Sequence, residues 1–370
     1  MRLRLCGKLV VLVVVALLSS LNSLNAEQEE IQFYTLKNAD ILKIDKTKND
    51  TIITLTGNVN LIYDEIEFFA DNAQVFQAEQ RVKCSGNVKA IQDTLEAGAN
   101  HALYIHETGE LYLNKNAYFV ENGKEGRLRS VRADTINYYK NRGDLEALEN
   151  AVLNELQEDI TLYCGALSYN IDEGYGVAKK SPELILNYEE PIKIYSKQME
   201  FFSQANKFIA TYEVKIVMKG GEAYSRFLIY FRDDDMAVLL GEPEFYSETV
   251  DAFAEEFHIF FKKEAIDKLY LKDKAKIYFK NKGQDNKSNY LFATNITFKL
   301  IDEKLRQIEA ENVSKSFLEQ PATEKSDYFI NKLATNFLKV YLDPEEEIEK
   351  IMASQDINGT YKFPSQEQRQ

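Results

Sequence analysis

The chain has 370 residues, 45% hydrophobic and 28% charged with only 6 Pro, so most of it can bury a core rather than remain a disordered tail. Forty-five Lys and Arg against 59 Asp and Glu leave a formal charge of −14 and a pI near 5.0. That balance argues against a nucleic-acid binder, which needs a basic face to displace counterions, and against docking on anionic headgroups by charge alone.

In chain order, the first element is an export signal over residues 1–26. Arg2, Arg4 and Lys8 precede a wholly apolar run, Leu9 to Leu18, and the small, polar stretch Ser19 to Ala26 follows. A basic head, an apolar run of about ten residues and a small-residue exit form the secretory pattern, whereas a membrane span needs roughly twenty apolar residues. Cys6 precedes the apolar run and is not placed as a lipoprotein cysteine. Cleavage after Ala26 removes three basic residues and brings the charge from −14 to about −17. Export leaves Cys84 and Cys164 in an oxidising compartment, where they either pair or stay as two buried thiols.

Beyond the signal the chain repeats, and the repeat is read before any motif. One line starts with a small residue and places apolar side chains three and five positions later. It begins at Ala39, Ala70, Ala133, Cys164, Ser196, Ala254 and Ala293, for example Ala70-Asp71-Asn72-Ala73-Gln74-Val75. Apolar residues two apart share one face of a strand. A second line contains Gly57-Asn58-Val59 and Gly86-Asn87-Val88, with weaker copies at Lys115-Asn116-Ala117, Glu149-Asn150-Ala151, Asp273-Lys274-Ala275 and Glu311-Asn312-Val313. Gly admits φ > 0 and Asn tolerates it, so this line predicts a bulge or bend inside each such strand. Near the end, Asp343-Pro344 followed by acids reads as a hairpin tip or a helix start, and the analogy with residues 298–308 favours the hairpin; a short helix between Asp327 and Leu338 is a separate alternative.

The repeats amount to about ten hairpin-like units, or eighteen to twenty-two strands. Each has one apolar face that only stacking on its neighbours can bury. The Lys219-Gly220-Gly221-Glu222 stretch is either a turn or a hinge. A hinge divides the exported part into 27–219 and 220–370; a turn leaves one continuous domain.

Leu55-Thr56-Gly57-Asn58-Val59, Ala70-Asp71-Asn72-Ala73 and Cys84-Ser85-Gly86-Asn87-Val88, behind a signal peptide, resemble the LptA/OstA-like family of exported proteins. The resemblance implies an all-β, elongated open β-jellyroll of two facing antiparallel sheets. It implies a periplasmic location and transport of lipopolysaccharide or a related lipid with the acyl chains between the sheets. It also implies edge-strand pairing with inner-membrane LptC-like and outer-membrane LptD-like partners and head-to-tail assembly with further copies. The first strand after Ile31 and the last after Ala353 are the predicted joints. No cofactor is expected.

Two sheets meeting along their apolar faces either close into a dry core or stay ajar as a trough that shelters acyl chains, at about 0.8 kcal/mol per buried methylene. The period-two stripe predicts the lining. Its first half is Leu55, Val59, Leu61, Ala73, Val75, Val88, Ala117, Phe119, Ile136 and Tyr138. Its second half is Leu167, Tyr169, Met199, Phe201, Phe257, Ile259, Ala275, Ile277, Ile296 and Phe298. Lys43, Lys46 and Lys48 are candidates to meet a phosphorylated headgroup, against a reading as solvated loop lysines.

Other chemistry fails inspection. His101 and His106 lie five apart, on opposite faces of one strand, and cannot share a metal. Asp233-Asp234-Asp235 lacks the alternating ligands and Gly of a calcium loop and reads as a solvated turn. Signatures of hydrolases, zinc proteases and phosphate-binding loops are missing, so neither metal nor enzyme activity is expected. Two readings of different class stand: a periplasmic lipid carrier or bridge, and an exported structural or adhesive β-solenoid whose stripe is closed core.

Overall fold

The computed structural model describes residues 34–362 apart from 123–127, 156–158, 188, 263–264, 281–288, 302–303, 321–327 and 345–347. The predicted signal lies outside the described residues. Among these, 28 strands form one antiparallel sheet in which each pass of the chain pairs with the passes before and after it. Twelve passes are unbroken, such as Thr51–Tyr63. Eight are interrupted midway, as where Ile192–Tyr195 is followed by Gln198–Phe202. The resulting twenty passes are the ten hairpins expected from the repeat. The one helical element among the described residues is a single turn, Lys140–Arg142, at a hairpin tip.

The sheet is creased along its midline. In every second pass but Lys304–Gln320, where Asn312 alone is left-handed, two consecutive residues adopt left-handed backbone: among them Gly57 (φ 77°) with Asn58 (φ 45°), Gly86 with Asn87, Lys115 with Asn116, Glu149 with Asn150 and Asp273 with Lys274. Pairing slips there, between Thr56 and Val59, Ser85 and Val88, and Asn114 and Ala117, which is the signature of a β-bulge with one extra residue. The weak copies of the second line are therefore as structural as the Gly-Asn ones. Sequence reading missed further copies at Lys180-Ser181, Tyr212-Glu213, Gly241-Glu242 and Gln355-Asp356.

On the passes between, the inward parity flips at the crease. Ala70 is buried, Asp71 and Asn72 face out, and Ala73 and Val75 are buried again. This is the origin of the first line's spacing of three then five. The small residue sits inside the crease, where the two wings are closest. A polar ladder runs along the outside of the fold. Asn58 donates to Asp40 (3.2 Å), Asn87 to Asp71 (3.1 Å), Asn150 to Asp134 (2.8 Å) and Asn336 to Asp356 (2.8 Å), while Lys197 pairs with Glu213 (2.9 Å).

The crease turns one sheet into two facing wings, which take the role expected of two separate sheets. The first wing includes Val59–Tyr63, Ile66–Ala70, Val88–Gln92 and Leu95–Ala99. The second includes Thr51–Thr56, Ala73–Phe76, Arg81–Cys84 and Ala102–Ile105. Inward side chains of both wings form one continuous apolar core. Cys84 and Cys164 are free and buried within it, and burial raises their thiols to about 12 and about 11, so the two-thiol reading holds.

Lys219 and Gly220 form the tip of the hairpin between Lys207–Met218 and Gly221–Phe231, whose strands pair up to that tip. The alternative of a helix before Leu338 is overturned. Phe329–Leu342 is a strand paired with Lys304–Gln320 on one side and with Ile348–Ser354 on the other, so the hairpin at Asp343-Pro344 stands. Its inward residues Leu333 and Thr335, then Leu338 and Val340, are separated by three across the crease, which mimics helical spacing. Asp233-Asp234-Asp235 is an exposed hairpin tip, as expected.

A Cβ at Gly86 would lie 2.2 Å from the Asp71 carboxylate and sit at φ 76°. Gly86→Ala is expected to cost about 1–3 kcal/mol in urea unfolding. Lys115→Gly, which relieves the same conformation (φ 65°), is expected to change stability by less than about 1 kcal/mol. Equal losses in both would contradict a crease built on left-handed residues.

Candidate functional site

The space between the wings changes along the molecule. Over the first passes it is shut. Asp64, at the tip between Thr51–Tyr63 and Ile66–Phe76 on the first wing, accepts a hydrogen bond from the Tyr104 hydroxyl of the second wing. His106 Nδ1 lies 3.3 Å and Lys140 Nζ 3.7 Å from the same carboxylate. Behind this clasp the Tyr104 ring packs against Tyr63 (6.2 Å between centroids) and Phe68 (6.0 Å). Burial and the neighbouring Asp64 carboxylate raise the Tyr63 phenol to about 12, and burial with the Asp64 hydrogen bond pushes Tyr104 up as well, so both stay neutral. Beyond the clasp lies a small gap bounded by Ala97, Leu111, Phe119 and Tyr138, the last two in cross-wing contact at 5.2 Å.

Past Phe119 the wings part. A cleft of about 1080 Å³, its mouth to solvent included, opens between them. Its floor is apolar, with Val131, Leu153 and Ile160 from the first wing and Leu145, Leu167, Phe201 and Phe208 from the second. Charge is confined to the rim: Glu121, Arg129 and Glu155 on the first wing, Lys207 and Arg232 on the second. The Arg129 guanidinium spans the mouth. Its Nη1 donates to the Tyr169 hydroxyl of the second wing at 2.7 Å, and its Nε lies 3.6 Å from Glu155 Oε1. The Lys207 ammonium lies 4.4 Å over the Phe202 ring.

The predicted stripe faces inward, and position along the molecule together with depth below the wing tips divides it. Leu55, Val59, Leu61, Ala73, Val75, Val88, Ala117, Ile136, Met199, Phe257, Ala275, Ile277, Ile296 and Phe298 are buried in the continuous core, many of them beside the crease. Ile259 is half-buried against that core. Phe119, Leu167, Tyr169 and Phe201 line the open cleft, and Tyr138 lines the small gap behind Phe119. Two wings diverging from a crease must pack tightly at its base and can part only near their tips, so Phe201 and Tyr169 line the opening and Leu55 and Ala73 do not.

Sequence reading missed Leu145, Leu153, Ile160 and Phe208 and the rim cations Arg129 and Lys207. Two signals for them were present. Phe208 pairs directly opposite Phe201, with rings 5.3 Å apart, and Arg129 shares the inward parity of Val131 and Ala133. Of the lysines considered for a headgroup, Lys43 pairs with Asp45 (2.8 Å) on the edge strand Ile41–Lys46, and none of the three lines the cleft. His106 belongs to the clasp, and His258 pairs with Glu256 at 2.7 Å.

Residues 38–175 match the family model described as LptA/(LptD N-terminal domain) LPS transport protein, so the resemblance carried by the Gly-Asn-Val repeats holds over that stretch. Among solved structures, the chain is similar to LptH from Pseudomonas aeruginosa, described as the LptA homologous periplasmic component of the conserved lipopolysaccharide transport device. That similarity has 13% identity and a TM-score of 0.26, and covers 28% of this chain and 75% of that one. No curated protein matches the chain.

Tyr104→Phe removes the hydrogen bond across the clasp and leaves Asp64 short of a buried donor. The substitution is expected to lower stability by about 1–3 kcal/mol, read as an earlier urea midpoint. An unchanged midpoint would show that the clasp does not hold the wings together.

Proposed function

We propose that the protein is a non-enzymatic carrier that holds the acyl chains of lipopolysaccharide or a related lipid between its wings and hands the lipid along a bridge in the periplasm. The observation that carries this reading is the cleft: an apolar floor reached from solvent, with every charged group at the rim. Such a site binds hydrocarbon without chemistry, since each methylene moved out of water contributes about 0.8 kcal/mol and a chain of six to eight buried methylenes about 5–6 kcal/mol. The family matched by residues 38–175 supports the choice of lipid, and the secretory pattern of residues 1–26 supports the location.

Both ends of the sheet support assembly into a bridge. Exposed Ile41, Leu42 and Ile44 lie on the edge strand at one end, and exposed Met352, Ile357 and Tyr361 lie in the last pass at the other. An unpaired edge is a template for strand addition, and head-to-tail pairing of unlike edges propagates rather than closes. We assign the two edges to an inner-membrane LptC-like partner, an outer-membrane LptD-like partner or another copy of this chain.

A fluorescent fatty acid titrated into the signal-free protein tests the cleft. Phe201→Asp, half-buried in the floor, is expected to weaken binding at least tenfold while the protein remains folded. Leu61→Ala, deep in the closed stretch, is expected to cost about 2–4 kcal/mol of stability and leave the affinity unchanged. Full-strength binding by folded Phe201→Asp protein would contradict this cleft as the acyl site.

A further inference from the structure

We propose that Arg129 and Lys207 make this cleft select amphiphiles with an anionic group, a phosphate or a carboxylate, next to the hydrocarbon chain. The inference rests on the acyl-cleft reading above and adds to it the residues that read charge. The chain as a whole is acidic, with 45 basic side chains against 59 acidic ones, yet the cleft reverses the sign: Arg129, Lys207 and Arg232 against Glu121 and Glu155.

Arg129 and Lys207 come from opposite wings, so a headgroup held above a buried chain meets cations on both sides. Arg129 is not a surface arginine folded back by chance. It occupies an inward position in the alternation that continues with Val131 and Ala133, and its side chain is only 22% exposed. Its protein partners, Tyr169 and Glu155, themselves line the cleft, so the guanidinium is presented to whatever enters. Glu155 holds it through a 3.6 Å contact at Nε, longer than the 2.7–2.9 Å of a charge-assisted hydrogen bond. A phosphate or carboxylate that takes the planar fork in two parallel bonds therefore gains more than it displaces. The apolar floor keeps water from screening that gain. Lys207, over the Phe202 ring, supplies a second charge on a flexible stem.

The test uses the signal-free chain at pH 8 with dodecanoate and dodecanol displacing an uncharged fluorescent acyl probe. Wild-type protein is expected to prefer dodecanoate by about tenfold or more. Arg129→Gln and Lys207→Gln are each expected to reduce the ratio, and the double variant to bring it near one. Lys207→Gln alone, at a half-buried rim position at the start of its strand, keeps the test valid if Arg129→Gln unfolds. Equal affinity for both ligands in wild type, or an unchanged ratio in Lys207→Gln and the double variant, overturns the selection and leaves the acyl cleft standing. Binding of neither ligand overturns the cleft itself. Displacement of dodecanoate by millimolar inorganic phosphate would mark a free-ion site rather than a headgroup reader and would also overturn the proposal.

Discussion

A bulge of left-handed residues, repeated in every second pass, decides the shape of this molecule. At Gly57-Asn58, Gly86-Asn87, Lys115-Asn116 and their later copies, one extra residue is inserted and the strand bends. Because the bulges align from pass to pass, the bends add up to a crease rather than to scattered kinks. The side chains beside them hold the alignment, with Asn58 on Asp40, Asn87 on Asp71 and Asn150 on Asp134 bridging neighbouring passes on the outside. A flat antiparallel sheet of this length would leave one apolar face in water. The crease folds that face onto itself and so builds the core without a second sheet or a layer of helices.

Depth below the wing tips then sets what each stretch of the interior can do. Near the crease the wings are too close for anything but their own side chains, and Leu55, Ala73, Ile136 and Met199 pack there with almost no exposure. Toward the tips the wings part unless something holds them. At the start of the molecule the Asp64–Tyr104 clasp and the ring cluster behind it hold them shut. Past Phe119 only the Arg129–Tyr169 bridge crosses the mouth among the cleft-lining pairs described above, and the cleft opens. A lipid moving along the interior toward the first strands would have to displace Tyr104 from Asp64.

The architecture was legible in the sequence because its cause is local. Gly-Asn-Val at a step of 29 signals a bulge, and alternating Ile53, Leu55, Val59 and Leu61 signal the strand around it. Where the bulge is built from Tyr212-Glu213 or Lys180-Ser181, nothing in residue type announces left-handed backbone, and those copies were missed. The site was less legible because it depends on distance between wings, a quantity that strand alternation does not contain. Leu55 and Phe201 look alike in sequence, since both are inward and apolar. Their positions relative to crease and tip, and whether a clasp closes the wings at that point along the molecule, separate a packed side chain from one that lines an opening. Arg129 was readable in principle as a cation at inward parity, but its partner Tyr169 is 40 residues away on the facing wing.

The central claim, that hydrocarbon lies between the wings where they part, is tested most directly by mapping a photoreactive acyl chain. Irradiation of the protein with a diazirine-bearing fatty acid, followed by peptide mass spectrometry, is expected to place adducts on Leu153, Ile160, Phe201 and Phe208. Adducts confined to the outer faces of the wings or to the edge strands would contradict it.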